Sequence, residues 1–579
     1  MKVSAYLAER LAAYGVRAVF GYQGSSVSHI IDSLSVNENI EFVETRHEQA
    51  AAFAANGYVL AGADMGVAVS CSGPGVTNMV TGIADAYFDS LPCLFIAGQV
   101  SVHELKTDPG MRQLGFQEMD VVSLVSSIVK YAVTVRQPEK IAYELEKAVY
   151  EMRRGRPGPV LLDIPHNVQG ANIDVDALEH FLPEEKAETA DCDAAAAEVA
   201  RDLACSTRPV VLLGGGCREL RKNRELRVFL EELGIPVVTS YRGKDAVSNL
   251  GQTYCGTLGV YGDRCANWAV KYCDYLLVLG SRLDGRQTGD GQEKLAENAQ
   301  VTVVDLDPVE LRNMPDRYRK VAADAMDFLS ALRRHFRKAD CGPWLELVKS
   351  WRSAYPDSAE YRIREGVNPN LLLNTISRLA PEDAVFALDV GQNQLWGNTS
   401  LHTGEGQCIL QSCGLGSMGF ALPAAVGGCY ATRKTAVCVC GDGGFQMNLQ
   451  ELQTVAHHNV PVKIFVMNNQ SLGLIRIYQN KALQGRCYGS VIGFGSPDYE
   501  ILAKAYGLSY EKIQDNAFEE TVARVLSDEK PCLVEVCISP ESTNYPEPTY
   551  RSTIDNQSVE LSEEEKTRIK EDAYGVGRN

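Results

Sequence analysis

Short apolar segments alternate with helical periodicity along the whole of this 579-residue chain. Several of these segments end in Gly, Ser, Asp or Asn and lead directly into a stretch with helical spacing. This alternation is typical of βαβ units, in which helices cover both faces of a parallel sheet. The predicted strands include Met65–Ser70, Val160–Asp163, Pro209–Leu213, Tyr275–Leu279, Val301–Val304, Ala436–Cys440 and Val462–Met467.

The length and two breaks in the pattern predict three domains, since a domain holds roughly 100–200 residues. The acidic stretch at 178–195 and the proline-containing stretch at 338–368 lack periodicity, as linkers do. The first and third segments share the same rhythm, which weakly indicates a duplicated architecture. We predict an α/β protein with three doubly wound parallel-sheet domains at 1–177, 190–338 and 365–543. The polar tail at 544–579 is predicted to be wrapped on the surface, a mobile lid or disordered.

Charge and cysteine content narrow the class of protein. The chain has 74 acidic and 56 basic side chains and a formal net charge of −18, which argues against nucleic-acid binding because that needs a basic face. The 17 cysteines form no CxxC pair, and many lie in apolar runs, as expected of reduced, buried thiols in the cytoplasm. No apolar run approaches the ~18 residues of a membrane span, so we expect no membrane partner.

The strongest local signal is a Gly-Asp-Gly turn directly after a predicted strand. Asp442 lies between Gly441 and Gly443, and 24 residues separate this turn from Asn468-Asn469, which end the next predicted strand. The carboxyl ends of neighbouring parallel strands share one edge of a sheet, so we expect Asp442 and Asn469 to lie close together. Glycines let backbone N–H groups approach a phosphate, and the two oxygen-bearing side chains suit Mg²⁺. The pattern therefore predicts a site for a phosphate and magnesium.

A second candidate is Glu48, at the start of a small-residue helix over 48–58. An acid at a helix start can simply balance the positive end of the helix dipole. It can also be a functional carboxyl in an apolar, water-poor setting. The stretch alone leaves both interpretations open.

Both segments resemble motifs of one enzyme family. The Gly-Asp-Gly…Asn-Asn pattern resembles the thiamine diphosphate-binding motif, and residues 44–58 resemble the catalytic-glutamate helix of acetolactate synthases. By this resemblance Glu48 bonds the pyrimidine ring of the coenzyme, whose thiazolium carbanion acts as electron sink. The resemblance also implies that Asp442 and Asn469 bind Mg²⁺ side by side, with a backbone carbonyl near Ser471.

The resemblance covers nearly the whole chain. Cys71–Asn78 looks like the family's Ser-Gly-Pro-Gly loop, and Gly115–Glu118 looks like the segment whose glutamine, here Gln117, lines the active site. Met418 would prop the coenzyme in a bent shape, although methionine is more commonly core filler. The other coenzyme-binding residues implied by the resemblance are Gly24, Pro74, Asn78, Gly391, Gln392, Gly416, Gly441, Gly443 and Gly444.

The middle segment contains a strand that runs into three glycines, followed by loops that resemble FAD-contacting loops of flavin-bearing acetolactate synthases. The flavin-binding residues implied are Gly214, Gly215, Arg282, Arg286 and Asp305. The alternative is a domain of the same fold without a flavin. Because acetolactate formation transfers no net electrons, FAD here would be largely structural.

In this family the pyrimidine half of the coenzyme binds the first domain of one subunit, and the diphosphate half binds the third domain of its neighbour. The resemblance therefore implies a homodimer or homotetramer with active sites at the subunit interface. The implied reaction is decarboxylation of a 2-keto acid, for which we expect pyruvate, and ligation of the product carbanion to a second carbonyl.

The acceptor side departs from the family pattern. Tyr478 stands where biosynthetic acetolactate synthases have a tryptophan, and Arg476 is an added charge. This leaves open a keto-sugar acceptor, or a decarboxylase or C–C hydrolase on the same scaffold. We predict Arg112, Lys130 and Tyr478 as substrate-binding residues, although the two cations could equally pair with surface acids. A non-catalytic scaffold is disfavoured because Glu48, Asp442 and Asn469 are all present.

Overall fold

The computed structural model describes residues 1–108, 110–183, 192–337, 341–548, 552–559 and 561–577. Its main feature is a set of three six-stranded sheets, one in each predicted segment, in which every paired strand is parallel. The α/β prediction with three doubly wound sheets is therefore confirmed. The predicted linker at 178–195, the second break at 338–368 and the tail lie partly outside the described residues, as do the predicted boundary residues 190 and 338.

The N-terminal sheet has the strand order β2-β1-β3-β4-β6-β5. Its strands are β1 (Ala18–Gly21), β2 (Glu41–Glu44), β3 (Gly66–Ser70), β4 (Cys93–Gln99), β5 (Tyr131–Thr134) and β6 (Val160–Pro165). Its helices are α1 (Val3–Ala13), α2 (Ser28–Ser35), α3 (Glu48–Leu60), α4 (Pro74–Phe88), α5 (Val121–Val125), α6 (Ile141–Arg153) and α7 (His166–Gln169).

The central sheet has the strand order β12-β11-β10-β7-β8-β9. Its strands are β7 (Pro209–Leu213), β8 (Val237–Thr239), β9 (Tyr254–Thr257), β10 (Tyr275–Leu279), β11 (Gln300–Asp305) and β12 (Arg319–Ala322). Its helices are α8 (Asp193–Cys205), α9 (Arg224–Glu232), α10 (Arg264–Tyr272), α11 (Gly285–Thr288), α12 (Pro308–Arg312) and α13 (Ala325–His335). Two helices, α14 (Gly342–Ala354) and α15 (Asp357–Glu360), lead from it to the third sheet.

The C-terminal sheet has the strand order β14-β13-β15-β16-β18-β17. Its strands are β13 (Val385–Leu388), β14 (Cys408–Gln411), β15 (Ala436–Gly441), β16 (Val462–Asn468), β17 (Ser509–Ile513) and β18 (Cys532–Cys537). Its helices are α16 (Pro369–Leu379), α17 (Gln392–Ser400), α18 (Ala421–Thr432), α19 (Asp442–Met447), α20 (Leu452–His457), α21 (Gly473–Ala482), α22 (Tyr499–Tyr506) and α23 (Glu519–Ser527).

The first and third sheets share one topology. When the strands are numbered within each sheet, both orders read 2-1-3-4-6-5. Helix α3 follows the second strand of the first sheet, and α18 follows the second strand of the third sheet. The two domains are therefore structural repeats, and α3 and α18 occupy equivalent positions in them.

These equivalent helices pack directly against each other in one shared core. A Cβ on Gly57 of α3 would lie 2.3 Å from the carbonyl oxygen of Ala424, and a Cβ on Gly427 of α18 would lie 1.9 Å from that of Ala54. Both glycines are required because each faces the backbone of the opposite helix. Nearly every residue of α3 is buried, which explains why small and apolar residues dominate on all its sides.

The described part of the tail lies against the central domain. It contains the strands β19 (Glu547–Pro548) and β20 (Gln557–Ser558) and the helix α24 (Glu563–Gly575). Ile569 and Ala573 of α24 belong to the core of the central domain, and the Asn267 side-chain amide donates to the carbonyl oxygen of Ile554 at 2.9 Å. Of the three alternatives for the tail, the surface-wrapped one applies to these residues. No helix in the described ranges is long and apolar enough to cross a membrane.

One buried carboxyl group, Asp163 in β6, makes stability depend on pH. Its side chain accepts hydrogen bonds from Thr134 Oγ1 at 2.8 Å and from Gln99 Nε2 at 3.2 Å. Burial raises the pKa of Asp163 to about 7. The unfolded chain releases this proton near pH 4, so the folded state loses stability as the pH rises from about 4 to about 7.

Asp163→Asn should remove this loss, because the amide does not titrate and can keep both hydrogen bonds. We expect the free energy of unfolding of the variant, relative to wild type, to rise by about 2–3 kcal/mol between pH 5 and pH 8. Calorimetric unfolding of the coenzyme-free protein across this range measures the effect, with the exposed Asp32→Asn as control. Parallel pH curves for the variant and wild type would contradict the prediction.

Candidate active site

Glu48 and Asn78 form the centre of a first half-site at the carboxyl edge of the N-terminal sheet. Glu48 is the first residue of α3, and His47 caps this helix because its Nδ1 accepts the N–H of Gln49 at 3.2 Å. Glu48 is 8% exposed, and the Asn78 side-chain amide donates to Glu48 Oε2 at 2.9 Å. Within the described ranges no donor reaches Oε1, so this oxygen is available to a ligand.

The neighbouring loops bring Pro74, Gln117 and Gly24 to the same edge. Pro74 begins α4, directly after the turn at Gly73. A Cβ on Gly73 would lie 2.9 Å from the carbonyl oxygen of Gln117, so the Gln117 loop lies against the start of α4. Gly24 packs on Cys71, whose Cβ lies 2.6 Å from where a Cβ of Gly24 would be. The structure thus places these three predicted residues at the edge of the sheet where Glu48 lies.

Sequence reasoning missed two exposed apolar side chains beside Gln117. Phe116 is 85% exposed and Leu114 is 49% exposed. Large apolar side chains exposed next to a functional loop commonly mark a surface that binds a ligand or another protein. The signal was present in the sequence, since Phe116 lies inside the segment Gly115–Glu118.

Asp442, Asn469 and Ser471 form a second half-site at the carboxyl edge of the C-terminal sheet. The strands that precede them, β15 and β16, are adjacent and parallel, as the sequence predicted. The backbone N–H of Ser471 donates to Asn469 Oδ1 at 3.2 Å and also hydrogen-bonds the Asp442 carboxyl group. A single amide therefore brings the two side-chain oxygens together.

The orientation of Asn469 is fixed by the hydrogen bonds of its amide nitrogen. Asn469 Nδ2 donates to Gln392 Oε1 at 2.8 Å and to Ser542 Oγ at 3.0 Å. Gln392, the first residue of α17, in turn donates through Nε2 to the carbonyl oxygen of Ser542 at 2.9 Å. Because the nitrogen is held on this side, the Asn469 oxygen faces the Asp442 side.

This donor set fits Mg²⁺. A carboxylate, an amide oxygen and backbone oxygens are hard ligands, and Ser471 Oγ is buried without a hydrogen-bond partner among the described residues. Burial raises the pKa of Asp442 to about 6, and a bound cation would favour its ionised form. The described residues include no group of three or more His, Cys, Asp or Glu side chains placed to hold a metal ion. Any cation at Asp442 would therefore share its coordination with amide, backbone and ligand oxygens.

The glycine turn is tightly packed around Asp442. A Cβ on Gly444 would lie 2.4 Å from Asp389 Oδ2, and one on Gly443 would lie 3.5 Å from Met418 Cε. The Asp389 carboxyl group accepts the N–H of Gly419 at 3.0 Å, and burial raises its pKa to about 7. Asp389, which lies in a loop that the sequence already likened to a coenzyme-contacting segment, thus links the glycine turn to the Met418 loop.

Three further predicted glycines shape the loops beside this turn. Gly391 and Gly416 have φ values of +141° and +74°, which favour glycine. A Cβ on Gly441 would lie 3.1 Å from Asn393 Oδ1. The second half-site therefore has a backbone-lined floor of the kind that phosphate oxygens need.

A cavity of about 730 Å³ lies between the N-terminal and central domains. Gly215, Arg282, Arg286 and Asp305 line it, as the flavin prediction requires of them. Gly214 instead packs on the backbone of the next loop, because its Cβ would lie 2.1 Å from the carbonyl oxygen of residue 280. Arg242 also lines the cavity, and its Nε and Nη2 are buried without partners among the described residues.

The predicted substrate-binding residues do not form one group in this chain. Arg112 is exposed in the loop before Gln117, and Tyr478 on α21 is 62% exposed. Lys130 lies at the amino end of β5, the opposite end of the sheet from Glu48, and donates to the carbonyl oxygen of Arg154. Arg476 is buried, with its Nη1 3.4 Å from Glu541 Oε2. Its charge is therefore balanced within the protein.

Three family profiles match the chain in the order of the sheets. They describe the N-terminal TPP binding domain of thiamine pyrophosphate enzymes at residues 1–124, the central domain at 196–332 and the C-terminal TPP binding domain at 389–536. Together with the fold, these matches define a thiamine diphosphate-dependent enzyme.

Whole-length relatives identify the family more closely. The acetolactate synthase isozyme 2 large subunit of Escherichia coli K12 is 35% identical over 543 residues, which cover 93% of this chain and 96% of that protein. The acetolactate synthase large subunit of Cyanidium caldarium is 34% identical over 557 residues, which cover 93% and 94%. The probable large subunit of Methanocaldococcus jannaschii is 34% identical over 557 residues, which cover 93% and 92%. The chain belongs to the acetolactate synthase large-subunit family.

The packing at Gly444 gives a test of the second half-site. In Gly444→Ala the new Cβ would meet the Asp389 carboxyl group at 2.4 Å, so the turn must move. We expect the affinity for thiamine diphosphate with Mg²⁺ to fall at least about tenfold, measured by isothermal titration calorimetry. Gly575→Ala is the matched control, because a Cβ there meets nothing within 4 Å. Equal affinity in both variants would show that the turn does not hold the diphosphate.

Proposed function

We propose that this enzyme decarboxylates pyruvate and joins the resulting two-carbon unit to the carbonyl of a second keto acid, using thiamine diphosphate and Mg²⁺. The observation that carries the proposal is that one chain contains both a buried, hydrogen-bonded Glu48 and, beside a glycine turn, the side-chain oxygens of Asp442 and Asn469 held close together. Relatives similar over nearly their whole length are named acetolactate synthases, which supports this reaction class. When bound, the coenzyme supplies a nucleophilic carbon and an electron sink.

Glu48 would hold the pyrimidine ring and move a proton to or from it. Asn78 occupies Oε2, which leaves Oε1 for a ring nitrogen. Gln117 and Pro74 line the same edge and would limit the access of water to this carboxyl group. Met418, which packs on the glycine turn, would support the bend between the two halves of the coenzyme.

Asp442, Asn469 and the backbone at Ser471 would hold Mg²⁺ against the diphosphate. This assignment is supported by their shared amide and by the unpartnered Ser471 hydroxyl group. The backbone at Gly391, Gln392 and the three glycines around Asp442 would then allow close approach of the phosphate oxygens. Gly416 would shape the neighbouring loop, because its own N–H donates to Ser412 Oγ.

FAD is proposed for the cavity between the N-terminal and central domains. A volume of about 730 Å³ is within the range of small-molecule sites, and the unpaired Arg242 nitrogens are donors suited to an anionic ligand. Arg282, Arg286 and the Gly215 loop would contact the nucleotide, with Asp305 at the end of β11. Because carboligation needs no net electron transfer, the role proposed for the flavin is structural.

A homodimer or homotetramer is proposed, with each active site built from two chains. Within the described residues no hydrogen bond joins Glu48 or Asn78 of the first half-site to Asp442, Asn469 or Ser471 of the second. Phe116 and Tyr478 are exposed beside the two half-sites, and a second copy would cover them. The 17 cysteines of the sequence form no CxxC pair and many lie in apolar runs, which supports a reducing compartment, and we propose the cytoplasm.

The first experiment is to incubate the purified protein with thiamine diphosphate, Mg²⁺ and pyruvate and to identify the products. We expect carbon dioxide and acetolactate, together with a flavin absorption spectrum from the protein as isolated. Acetaldehyde without acetolactate would identify a simple decarboxylase. No carbon dioxide, with coenzyme bound, would show that pyruvate is not the donor.

Glu48→Gln tests the role of the carboxyl group. The amide keeps the shape but cannot exchange the proton, so we expect kcat to fall about 10²–10⁴-fold with little change in coenzyme affinity. Glu44→Gln, four residues earlier on β2, is the control, since its side chain is partly exposed and pairs with Arg46. Activity in Glu48→Gln equal to wild type would overturn the mechanism.

Tyr478→Trp tests the acceptor side, because indole offers a larger apolar surface than phenol. We expect the ratio of products formed from 2-ketobutyrate and pyruvate as competing acceptors to shift at least about threefold towards the larger acid, as one methylene in a pocket is worth ~1 kcal/mol or more. Ile475→Val, on the same helix and 50% exposed at Ile475, is the control. An unchanged ratio would remove Tyr478 from the acceptor site.

A further inference from the structure

A buried carboxyl group of the C-terminal domain holds the loop that precedes α3. Glu451 follows α19 in the chain and is 1% exposed. Its Oε1 and Oε2 accept the backbone N–H of Arg46 at 3.0 and 3.2 Å, and its carboxyl group also bonds the backbone N–H of His47. The Thr454 hydroxyl group donates to Oε2 at 2.7 Å. These contacts end one residue before Glu48.

A buried carboxyl group of the N-terminal domain holds the loop that precedes α18. Asp85 of α4 is fully buried and accepts hydrogen bonds from Asn56 Nδ2 at 3.0 Å and from the Ser412 hydroxyl group. Ser412 Oγ in turn accepts the backbone N–H groups of Gly416 at 3.0 Å and Ser417 at 2.9 Å. The next residue is Met418.

The two contacts are equivalent in the repeated fold. Each held loop follows the second strand of its sheet, β2 or β14, and leads into the helix at the domain interface, α3 or α18. Each carboxyl group comes from the segment after the third strand of the opposite sheet, β3 or β15. The N- and C-terminal domains thus hold each other's functional loops in the same way.

Both carboxyl groups are expensive to bury. Burial raises the pKa of Glu451 to about 7, and burial together with the neighbouring Asp89 raises that of Asp85 to about 7. Other charged groups at these contacts are Arg242 near Asp85 and Arg46 near Glu451. An apolar residue at either position would avoid the cost of burial but would leave the backbone N–H groups, or the Ser412 hydroxyl group, without an acceptor.

We propose that Glu451 and Asp85, the latter acting through Ser412, are positioning residues that hold Glu48 and the Met418 loop in their working orientations across the domain interface. The proposal rests on the function proposed above for Glu48 and Met418. Among the described residues, neither Glu451 nor Asp85 has a hydrogen bond to the side chain of Glu48 or Met418. Their effect comes from fixing the backbone one or two residues before a functional side chain, where displacements near 1 Å lower rates strongly.

Hydrogen–deuterium exchange of the coenzyme-free protein tests the holding contacts without any reaction. In Glu451→Gln the backbone amides of Arg46 and His47 should exchange at least about tenfold faster, with wild-type exchange at Gly416 and Ser417. In Ser412→Ala the pattern should reverse. Asp163→Asn is the matched control, a buried carboxyl group of similar pKa away from both loops, and should change neither segment.

Kinetics then separates positioning from general destabilisation. Both variants should lower kcat at least about tenfold while the KM for pyruvate stays within about twofold, and Asp163→Asn should keep wild-type kcat. Thr454→Val, which removes the hydroxyl group that donates to Glu451 Oε2 and to the carbonyl oxygen of Glu44, should act in the same direction if Glu451→Gln does not fold. Wild-type amide exchange in the variants, or faster exchange with unchanged kcat, would overturn the proposal. Wild-type protein that turns over no keto acid would overturn the proposed function instead, while the exchange pattern would still report on the contacts.

Discussion

The close approach of α3 and α18 is the contact on which both half-sites depend. At Gly57 and Gly427, the backbone of one helix fills the space that a side chain of the other would need. Helices packed at this distance cannot rotate or slide without opening voids in the shared core. Because α3 begins at Glu48 and α18 begins just after Met418, the packing of two apolar helices sets the directions of two side chains proposed to act in the site.

Buried carboxyl groups complete what helix packing begins. A loop between a strand and a helix has no ladder partner for its N–H groups, and a buried loop cannot use water. Asp389, Glu451 and Asp85 lie where such loops are buried. Asp389 and Glu451 accept hydrogen bonds from loop N–H groups. Asp85 accepts one from the Ser412 hydroxyl group, which itself accepts from loop N–H groups. The raised pKa values of these acids show that burying an ionised carboxyl group costs free energy at each of these loops.

Much of this arrangement could be predicted from the sequence because it is local. Short apolar runs located the strands, and a Gly-Asp-Gly turn 24 residues before Asn-Asn placed Asp442 and Asn469 at one sheet edge. What could not be predicted depends on strand order. Lys130 precedes β5, which is the edge strand of the sheet, next to β6. Lys130 therefore lies at the far end of the sheet from Glu48, and no local sequence pattern indicates this.

The remaining contacts join residues that are far apart in the chain. The Asn78–Glu48 bond spans 30 residues and the Arg46–Glu451 contact spans 405, so neither leaves a periodic trace. Ser542 shows the consequence at the proposed metal site, because it holds the Asn469 amide from 73 residues away and begins the segment that runs on to the central domain. The motif residues are proposed to carry the chemistry, while residues outside every motif, such as Glu451 and Ser542, help to determine how those side chains point. Substitutions outside the motifs, at the positions that hold these loops, can for that reason alter the site as much as changes within it.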